Sequence, residues 1–205
     1  APWSGNDHTT LDVSGKHLVP GLIDAHVNFD PEHDALYLAA GVTLVRDIGG
    51  DRTTLLRERL DESRDRTPGP FLLTAGAPLD GDPPGAAQAV VLRSADAVAA
   101  LLPLLIEDTV DFVSILPGLS HEAYAKVLTL AHERRLTVFG PRLPRMSMKD
   151  ALAAGQDGFH GLDALLPPTV FWTGASEADI DASVAELAQA AKPLVPLLYA
   201  SSSRL

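Results

Sequence analysis

The first residue of this chain that could do chemistry is His26, in the run GKHLVPGLIDAHVNF over residues 15–29. The apolar residues after Pro20 predict a buried strand that the chain enters through a turn. Because side chains alternate along a strand, we expect His26 and Asn28 on the same side. Two histidines at this spacing could bind one metal ion, but a neutral amide is a poor zinc ligand. The run therefore predicts one metal ligand beside one substituted ligand position.

Strand and helix patterns alternate along the chain, which predicts an α/β protein with parallel strands and covering helices. Strands are predicted over residues 22–28, 43–48, 71–75, 111–116, 136–140, 158–162 and 194–198. Helices are predicted over residues 32–40, 54–63, 94–106, 120–134, 147–154 and 176–191. Ser120 and Ser176, each followed by acidic residues, are the clearest predicted helix N-caps.

The sequence around His26 resembles the opening of the amidohydrolase superfamily, particularly its imidazolonepropionase-like and prolidase-like branches. Residues 41–47, 110–115, 154–161 and 193–198 resemble the second, fourth, sixth and seventh strands of that family. The resemblance implies a TIM-type (β/α) barrel with its site at the C-terminal ends of the strands. It also implies that metal-activated water attacks a C–N bond of a cyclic amide, a peptide or a related substrate.

The chain, at 205 residues, is short for the fold that it resembles, because a complete barrel of this type has about 250 residues. Seven of the eight strands are recognisable, and no residue can be assigned to the aspartate of the eighth. Residues 1–19, with a predicted strand over 9–14, resemble a remnant of the family's small N-terminal β-sandwich. Residues 20–205 form the predicted barrel domain, which is apparently incomplete. Whether the chain is whole or a fragment stays open at this point.

The resemblance also indicates where metal ligands should stand. Ser114 takes the place of the lysine that is carboxylated in two-metal members, and Gly140 or Pro141 takes the place of the fifth-strand histidine. His160 matches the sixth-strand histidine if one residue is deleted. Without a gap it matches the preceding glutamate and faces away from the barrel centre. The predicted metal ligands are thus His26 and His160, and the degenerate ligand positions are Asn28, Ser114 and Gly140.

Two functional hypotheses follow from this ligand set. Catalytic zinc usually takes three protein ligands, so two histidines predict a pseudoenzyme with an eroded metal centre. Such a protein would have little or no metal-dependent hydrolysis and a small-molecule-binding or interaction role. The alternative is an active mono-metal hydrolase that uses His26 and His160 with Asp24 or Asn28. An active protein would need zinc or another divalent metal, whereas the substitutions predict that none is bound stoichiometrically.

Arg46 and Asp47 end the second predicted strand. We interpret this pair as an ion pair or a loop anchor rather than an acid/base couple. Asp24 shares the predicted strand face of His26, and the family resemblance favours a structural role for it.

Composition excludes several classes of function. The formal net charge of −11 argues against nucleic-acid binding, and no run approaches the ~20 apolar residues of a membrane span. The absence of cysteine excludes thiolate chemistry and cysteine metal sites. No signal peptide is visible, so the default expectation is the cytoplasm. The expected partners are a small molecule at the barrel mouth and a second chain, identical or different, on unpaired strand edges.

Overall fold

The computed structural model describes residues 11–51, 53–55, 57, 69–106, 110–166 and 176–197. The strands are β1 (Leu22–Val27), β2 (Val42–Asp47), β3 (Phe71–Thr74), β4 (Leu79–Asp80), β5 (Val90–Val91), β6 (Val113–Ser114), β7 (Val138–Gly140), β8 (Gly158–His160) and β9 (Leu194–Val195). The helices are α1 (Asp34–Ala39), α2 (Ala95–Leu105), α3 (His121–Glu133), α4 (Met148–Ala154) and α5 (Glu177–Ala190). Short 3-10 helices cover Pro31–His33 and Leu162–Leu165.

All strand pairs in the described residues are parallel. One sheet has the order β1-β2-β3, another has the order β6-β7-β8-β9, and β4 pairs with β5. Backbone hydrogen bonds also join the sheets, from Asp111 N to Thr74 O (2.8 Å) and from Leu116 N to Leu79 O (2.8 Å). Because parallel strands end at the same edge of a sheet, residues at their C-terminal ends come together. The prediction of an α/β protein with parallel strands is confirmed.

The helices begin where side-chain caps are available. Ser94, Ser120, Ser147 and Ser176 each accept a hydrogen bond from the backbone N–H three residues on. Such a cap stabilises a helix by about 1 kcal/mol because it pairs a backbone donor that the helix leaves free. The predicted helices other than 54–63 are confirmed to within two residues at each end. The helix predicted over 54–63 lies largely outside the described residues.

The strand predictions need three corrections. The strands predicted over 111–116, 136–140, 158–162 and 194–198 are shorter in the structure. Neither β4, which lies in the Pro/Gly-rich residues 77–85, nor β5 was predicted. The strand predicted over 9–14 is wrong for its described part, since residues 11–14 form no strand and a turn begins at Ser14. Residues 1–10 lie outside the described part, as do the last residues of the predicted strand 194–198.

The core lies between the sheets and the helices, and its largest cluster packs α2, α3 and α4 against β6, β7 and β8. Gln156, which is fully buried, joins three of these elements. Its side-chain amide donates to Gly140 O (3.0 Å) and Gly158 O (3.1 Å), and its carbonyl accepts from the Tyr124 hydroxyl (2.9 Å). The ends of β7 and β8 are therefore fixed to α3 by a hydrogen-bonded network rather than by apolar packing alone.

None of the helices in the described part of the chain has the length and apolar character that a membrane crossing requires.

Candidate functional site

Three of the residues selected from sequence, His26, Ser114 and His160, line a cavity of about 330 Å³ at the C-terminal ends of the strands. Its polar lining comes from His26 on β1, Ser114 on β6, His160 on β8, and Asp163 in the turn after β8. The rest of the lining is mainly apolar and consists of Ile48, Ile115, Leu116, Pro117, Pro141, Gly161 and Leu197. A concave, mostly apolar site with a few polar groups is typical of small-molecule sites.

The two predicted metal ligands lie next to each other. The ring centroids of His26 and His160 are 4.7 Å apart, and the rings meet edge to face at 83°. His160 is only 5% exposed. Of the two registers left open from sequence, the structure therefore shows the one in which His160 faces the first strand. Its role as a metal ligand stays a prediction.

Asn28 is not among the residues that line the cavity, and its position on the same side as His26 stays a prediction. The strand ends at Val27, and Asn28 lies exposed beyond it. Asp24 pairs with Val45 whereas Val27 pairs with Asp47, so β1 carries one extra residue between those pairs. This bulge lies before Asn28 and disturbs the regular alternation of side chains within β1.

Gly140, one of the two candidates for the fifth-strand ligand position, faces the neighbouring strand β6. A Cβ atom at this position would lie 2.4 Å from the carbonyl oxygen of Ile115, so the position points at the β6 backbone. The side chain that β7 sends toward His160 is that of Phe139, with ring centroids 6.0 Å apart. Pro141, the other candidate for the fifth-strand ligand position, lines the cavity but has no donor atom to offer a metal.

Ser114 and Asp163 complete the polar lining. Ser114 is 3% exposed, and it does reach the cavity from the position where the resemblance places a lysine. Asp163 was not singled out from sequence, because residues 158–162 were read as one strand. The chain instead turns at Gly161 into the 3-10 helix Leu162–Leu165. Gly161 has φ +80°, a conformation that favours glycine, and this turn brings Asp163 to the cavity.

Arg46 lies at this site, although the sequence analysis interpreted it only as part of an ion pair or a loop anchor. Its Nη2 donates to Nε2 of His160 at 2.9 Å, and its Nε donates to the carbonyl oxygen of Ala25 at 2.9 Å. The first of these bonds joins the sheet that contains β2 to the sheet that contains β8. The sequence signal was an arginine at the C-terminal end of a predicted strand, where a long side chain can reach the site.

Two phenylalanines hold the guanidinium of Arg46. Its Cζ lies 4.1 Å from the ring centroid of Phe139 and 5.1 Å from that of Phe112, distances typical of cation–π contacts. Gly158 makes room for this arrangement, because a Cβ at that position would lie 2.1 Å from an edge atom of the Phe139 ring. The guanidinium is thus positioned by both hydrogen bonds and ring faces.

The surroundings of His26 and His160 disfavour the protonated form of both side chains. Burial, together with the nearby His26 and Arg46, lowers the pKa of His160 to about 3. Burial and the charge of Arg46 also lower the pKa of His26, although Asp24 opposes them. Burial lowers the pKa of Arg46 too, but a guanidinium stays charged in proteins. At neutral pH both imidazoles are therefore neutral beside one fixed positive charge.

This charge pattern settles the tautomer of His160. A guanidinium has five N–H donors and no acceptor, so Nε2 of His160 accepts from Arg46 and its proton resides on Nδ1. Neither ring nitrogen then has a lone pair to give. His26 differs, because its Nδ1 is buried and forms no hydrogen bond within the described structure.

The residues as arranged do not fit the metal that the resemblance implies. Zinc in proteins binds thiolate, imidazole or carboxylate, and a catalytic ion needs three such ligands. The described residues contain no group of three His, Cys, Asp or Glu side chains able to hold an ion. The more direct observation is that the coordinating atom of His160 is already bonded to Arg46.

Asp47 and Asp24 have structural roles. Asp47 is fully buried, and its carboxylate accepts from Phe29 N (2.9 Å), Gly49 N (3.2 Å), Gly50 N (3.0 Å) and the Thr74 hydroxyl (3.2 Å). It is the loop anchor that the sequence suggested, while its neighbour Arg46 turns into the site. Asp24 accepts from the backbone N–H of His26 at 3.2 Å.

Comparisons with solved structures identify the fold. The chain is similar to a crystallised amidohydrolase over 95% of its length (TM-score 0.71, 18% identity). It is similar to a Xaa-Pro dipeptidase with methionine bound in its active site over 92% (TM-score 0.65, 16% identity). It is also similar to bottromycin amidohydrolase over 83% (TM-score 0.65, 17% identity). No protein-family model and no curated protein sequence gives a match.

The chain therefore resembles these two amidohydrolases and the dipeptidase in fold. The chain spans 57%, 57% and 37% of the lengths of these three proteins, in the order given. At identities below one fifth, the likeness concerns architecture, and fold alone does not carry activity.

Proposed function

We propose that this protein is an amidohydrolase-like (β/α) barrel protein whose metal centre is eroded. It binds a small molecule in the cavity at the C-terminal ends of its strands and has little or no metal-dependent hydrolysis of C–N bonds. The observation that carries the proposal is the hydrogen bond from Arg46 to Nε2 of His160, which occupies the atom that a metal would need.

The cavity supports the binding part of the proposal. Its volume of about 330 Å³ fits a small organic molecule, and its walls combine apolar side chains with the Ser114 hydroxyl and the Asp163 carboxylate. His26 adds a buried ring nitrogen that has no hydrogen-bond partner among the described residues. A ligand that pairs with this nitrogen would remove the desolvation cost of an unsatisfied polar group, which is about 1–3 kcal/mol.

Metal content tests the proposal. The wild-type chain, purified without chelator, is expected to contain far less than one equivalent of any transition metal by elemental analysis. Its melting temperature is expected to be the same with and without EDTA, because no structural ion is lost. Stoichiometric metal that disappears in His26→Ala would overturn the eroded-site proposal.

The second candidate is an active mono-metal hydrolase that cleaves a C–N bond of a cyclic amide, a peptide or a related substrate. The observation that favours it is the 4.7 Å separation of the His26 and His160 rings, together with the unpaired Nδ1 of His26. On this hypothesis Arg46 must leave His160 when the ion binds. Metal-dependent turnover that is lost in both His26→Ala and His160→Ala would support it.

A further inference from the structure

The guanidinium of Arg46 lies where an ion bound to His160 would lie. An imidazole nitrogen has one lone pair, directed outward in the ring plane, and Nη2 of Arg46 meets that of Nε2 at 2.9 Å. A zinc ion would need the same lone pair at about 2.0–2.1 Å. The guanidinium and the ion therefore cannot both bind Nε2 of His160 at the same time.

Arg46 is also held in this position from its other sides. Its Nε is bonded to Ala25 O at 2.9 Å, and Phe139 and Phe112 lie 4.1 and 5.1 Å from its Cζ. In the described part of the chain, no carboxylate forms an ion pair with it. Its charge is thus directed at the two histidines rather than neutralised by an acid.

We propose that Arg46 is a built-in cation that substitutes for the metal ion and keeps divalent metals out of the site. The inference rests on the proposed function, since it explains how a metal-free site keeps a positive charge at His160. It has a specific corollary. Removing the guanidinium frees Nε2 of His160, and the adjacent His26 and His160 then form a latent two-histidine site for zinc or cobalt(II).

The test uses the full chain and Arg46→Met, because methionine is neutral and flexible enough to pack against both phenylalanines. Without metal, Arg46→Met is expected to melt at a lower temperature than wild type, since His160 loses its partner. Added Zn²⁺ should raise its melting temperature by about 5–10 °C at roughly a hundredfold excess over Kd, while wild type shows no shift. Added Co²⁺ should give the variant a visible d–d absorption band.

Matched controls separate the site from general effects. Arg142 is another half-buried arginine, whose Nε donates to Ala164 O at 3.2 Å, away from both histidines. Arg142→Met should show no zinc response. The double variant Arg46→Met/His160→Ala should lose the zinc response that Arg46→Met gains. Arg46→Gln is a second neutral variant. If Arg46→Met does not fold, the same zinc and cobalt measurements are made on Arg46→Gln, with the same expected results.

The possible failures are distinguishable. If wild type is free of metal and the folded neutral variants do not respond to zinc or cobalt, the inference is wrong and the proposed function stands. If wild type itself binds metal through His160, the proposed function and the inference both fail. A zinc response in Arg46→Met that survives His160→Ala would also overturn the inference, because the ion would be bound elsewhere.

Discussion

Arg46 and Asp47 are neighbours in sequence with opposite electrostatic environments. The guanidinium of Arg46 contacts aromatic rings and the imidazole of His160, whereas the carboxylate of Asp47 is surrounded by hydrogen-bond donors. Burial raises the pKa of Asp47, although the hydrogen bonds from Phe29, Gly50, Thr74 and Gly49 oppose that shift. Adjacent residues on a strand point to opposite sides, so one end of β2 supplies both the site charge and the loop anchor.

Asp47→Asn should destabilise the fold by about 2–3 kcal/mol. Asparagine has only one acceptor oxygen, so it cannot accept from Phe29, Gly49, Gly50 and Thr74 together, and its NH₂ group would face buried donors. Urea unfolding monitored by circular dichroism measures the change. Asp12→Asn is the control, because Asp12 is exposed and its hydrogen bonds are with a near neighbour in sequence, Ser14, whose backbone N–H lies at 2.8 Å. Equal losses in the two variants would contradict the anchoring role.

Sequence reasoning located His26, His160 and Ser114 because a family pattern fixes their places along the strands. The bulge in β1 and the close approach of the β6 backbone to Gly140 depend on pairing partners that a single sequence does not reveal. The contact of Arg46 with His160 spans 114 residues of chain. No local sequence pattern predicts a contact between residues so far apart in the chain. The contact that argues most directly against a bound metal ion was therefore found only in the structure.

At the scale of elements, the side chain of Asp157 binds three other parts of the structure. Its carboxylate accepts from Val138 N on β7 (2.9 Å), His132 on α3 (2.8 Å) and Lys192 before β9 (2.9 Å). Burial alone would raise the pKa of Asp157, but the hydrogen bonds from Val138, His132 and Lys192 together with the charge of Lys192 outweigh it, so the pKa is lowered. The helix predictions succeeded because caps and apolar periods are local, whereas the contacts of Asp157 join residues far apart in sequence.

Asp157 should make part of the stability depend on pH. The folded-state pKa of Asp157 lies below the unfolded value of about 3.9. Its contribution to the free energy of unfolding is therefore fully present above about pH 5. That contribution is lost as the pH falls through the folded-state pKa. Asp157→Asn should therefore lower the free energy of unfolding at pH 6 and have a smaller effect at pH 3. Urea unfolding at both pH values checks this. Lys192→Met, which removes one charged partner of Asp157, should lower the free energy of unfolding by a smaller amount with the same pH dependence. If the loss in Asp157→Asn is the same at both pH values, the low pKa of Asp157 does not contribute to stability.

At the scale of the whole molecule, the described residues leave an apolar surface beside β1. Leu18 and Val19 are 88% and 74% exposed, and Leu22 and Ile23 on the strand itself are 61% and 64% exposed. In the described sheets, β1 and β9 each have a neighbour on one side only. Unpaired strand edges with apolar neighbours favour association with another chain. Association remains a prediction, as it was from sequence.

We predict that the chain forms oligomers through this surface. Leu18→Lys/Val19→Lys should shift the mass measured by light scattering toward the monomer. Both residues precede β1, so the strand pairing with β2 is preserved. Leu104→Lys on α2, where the wild-type side chain is 63% exposed, is the matched control and should leave the mass unchanged. A monomeric wild type, or equal behaviour of the two variants, would show that the surface is not an interface between copies.

The bond between Arg46 and His160 has one consequence for how the protein would behave in a cell. A metal site depends on the supply of free ion, on competing chelators and on loading after synthesis. A guanidinium is part of the chain, so the positive charge beside His160 is present as soon as β2 and β8 come together. Zinc starvation or excess would leave that charge unchanged, and its presence would be set by folding alone.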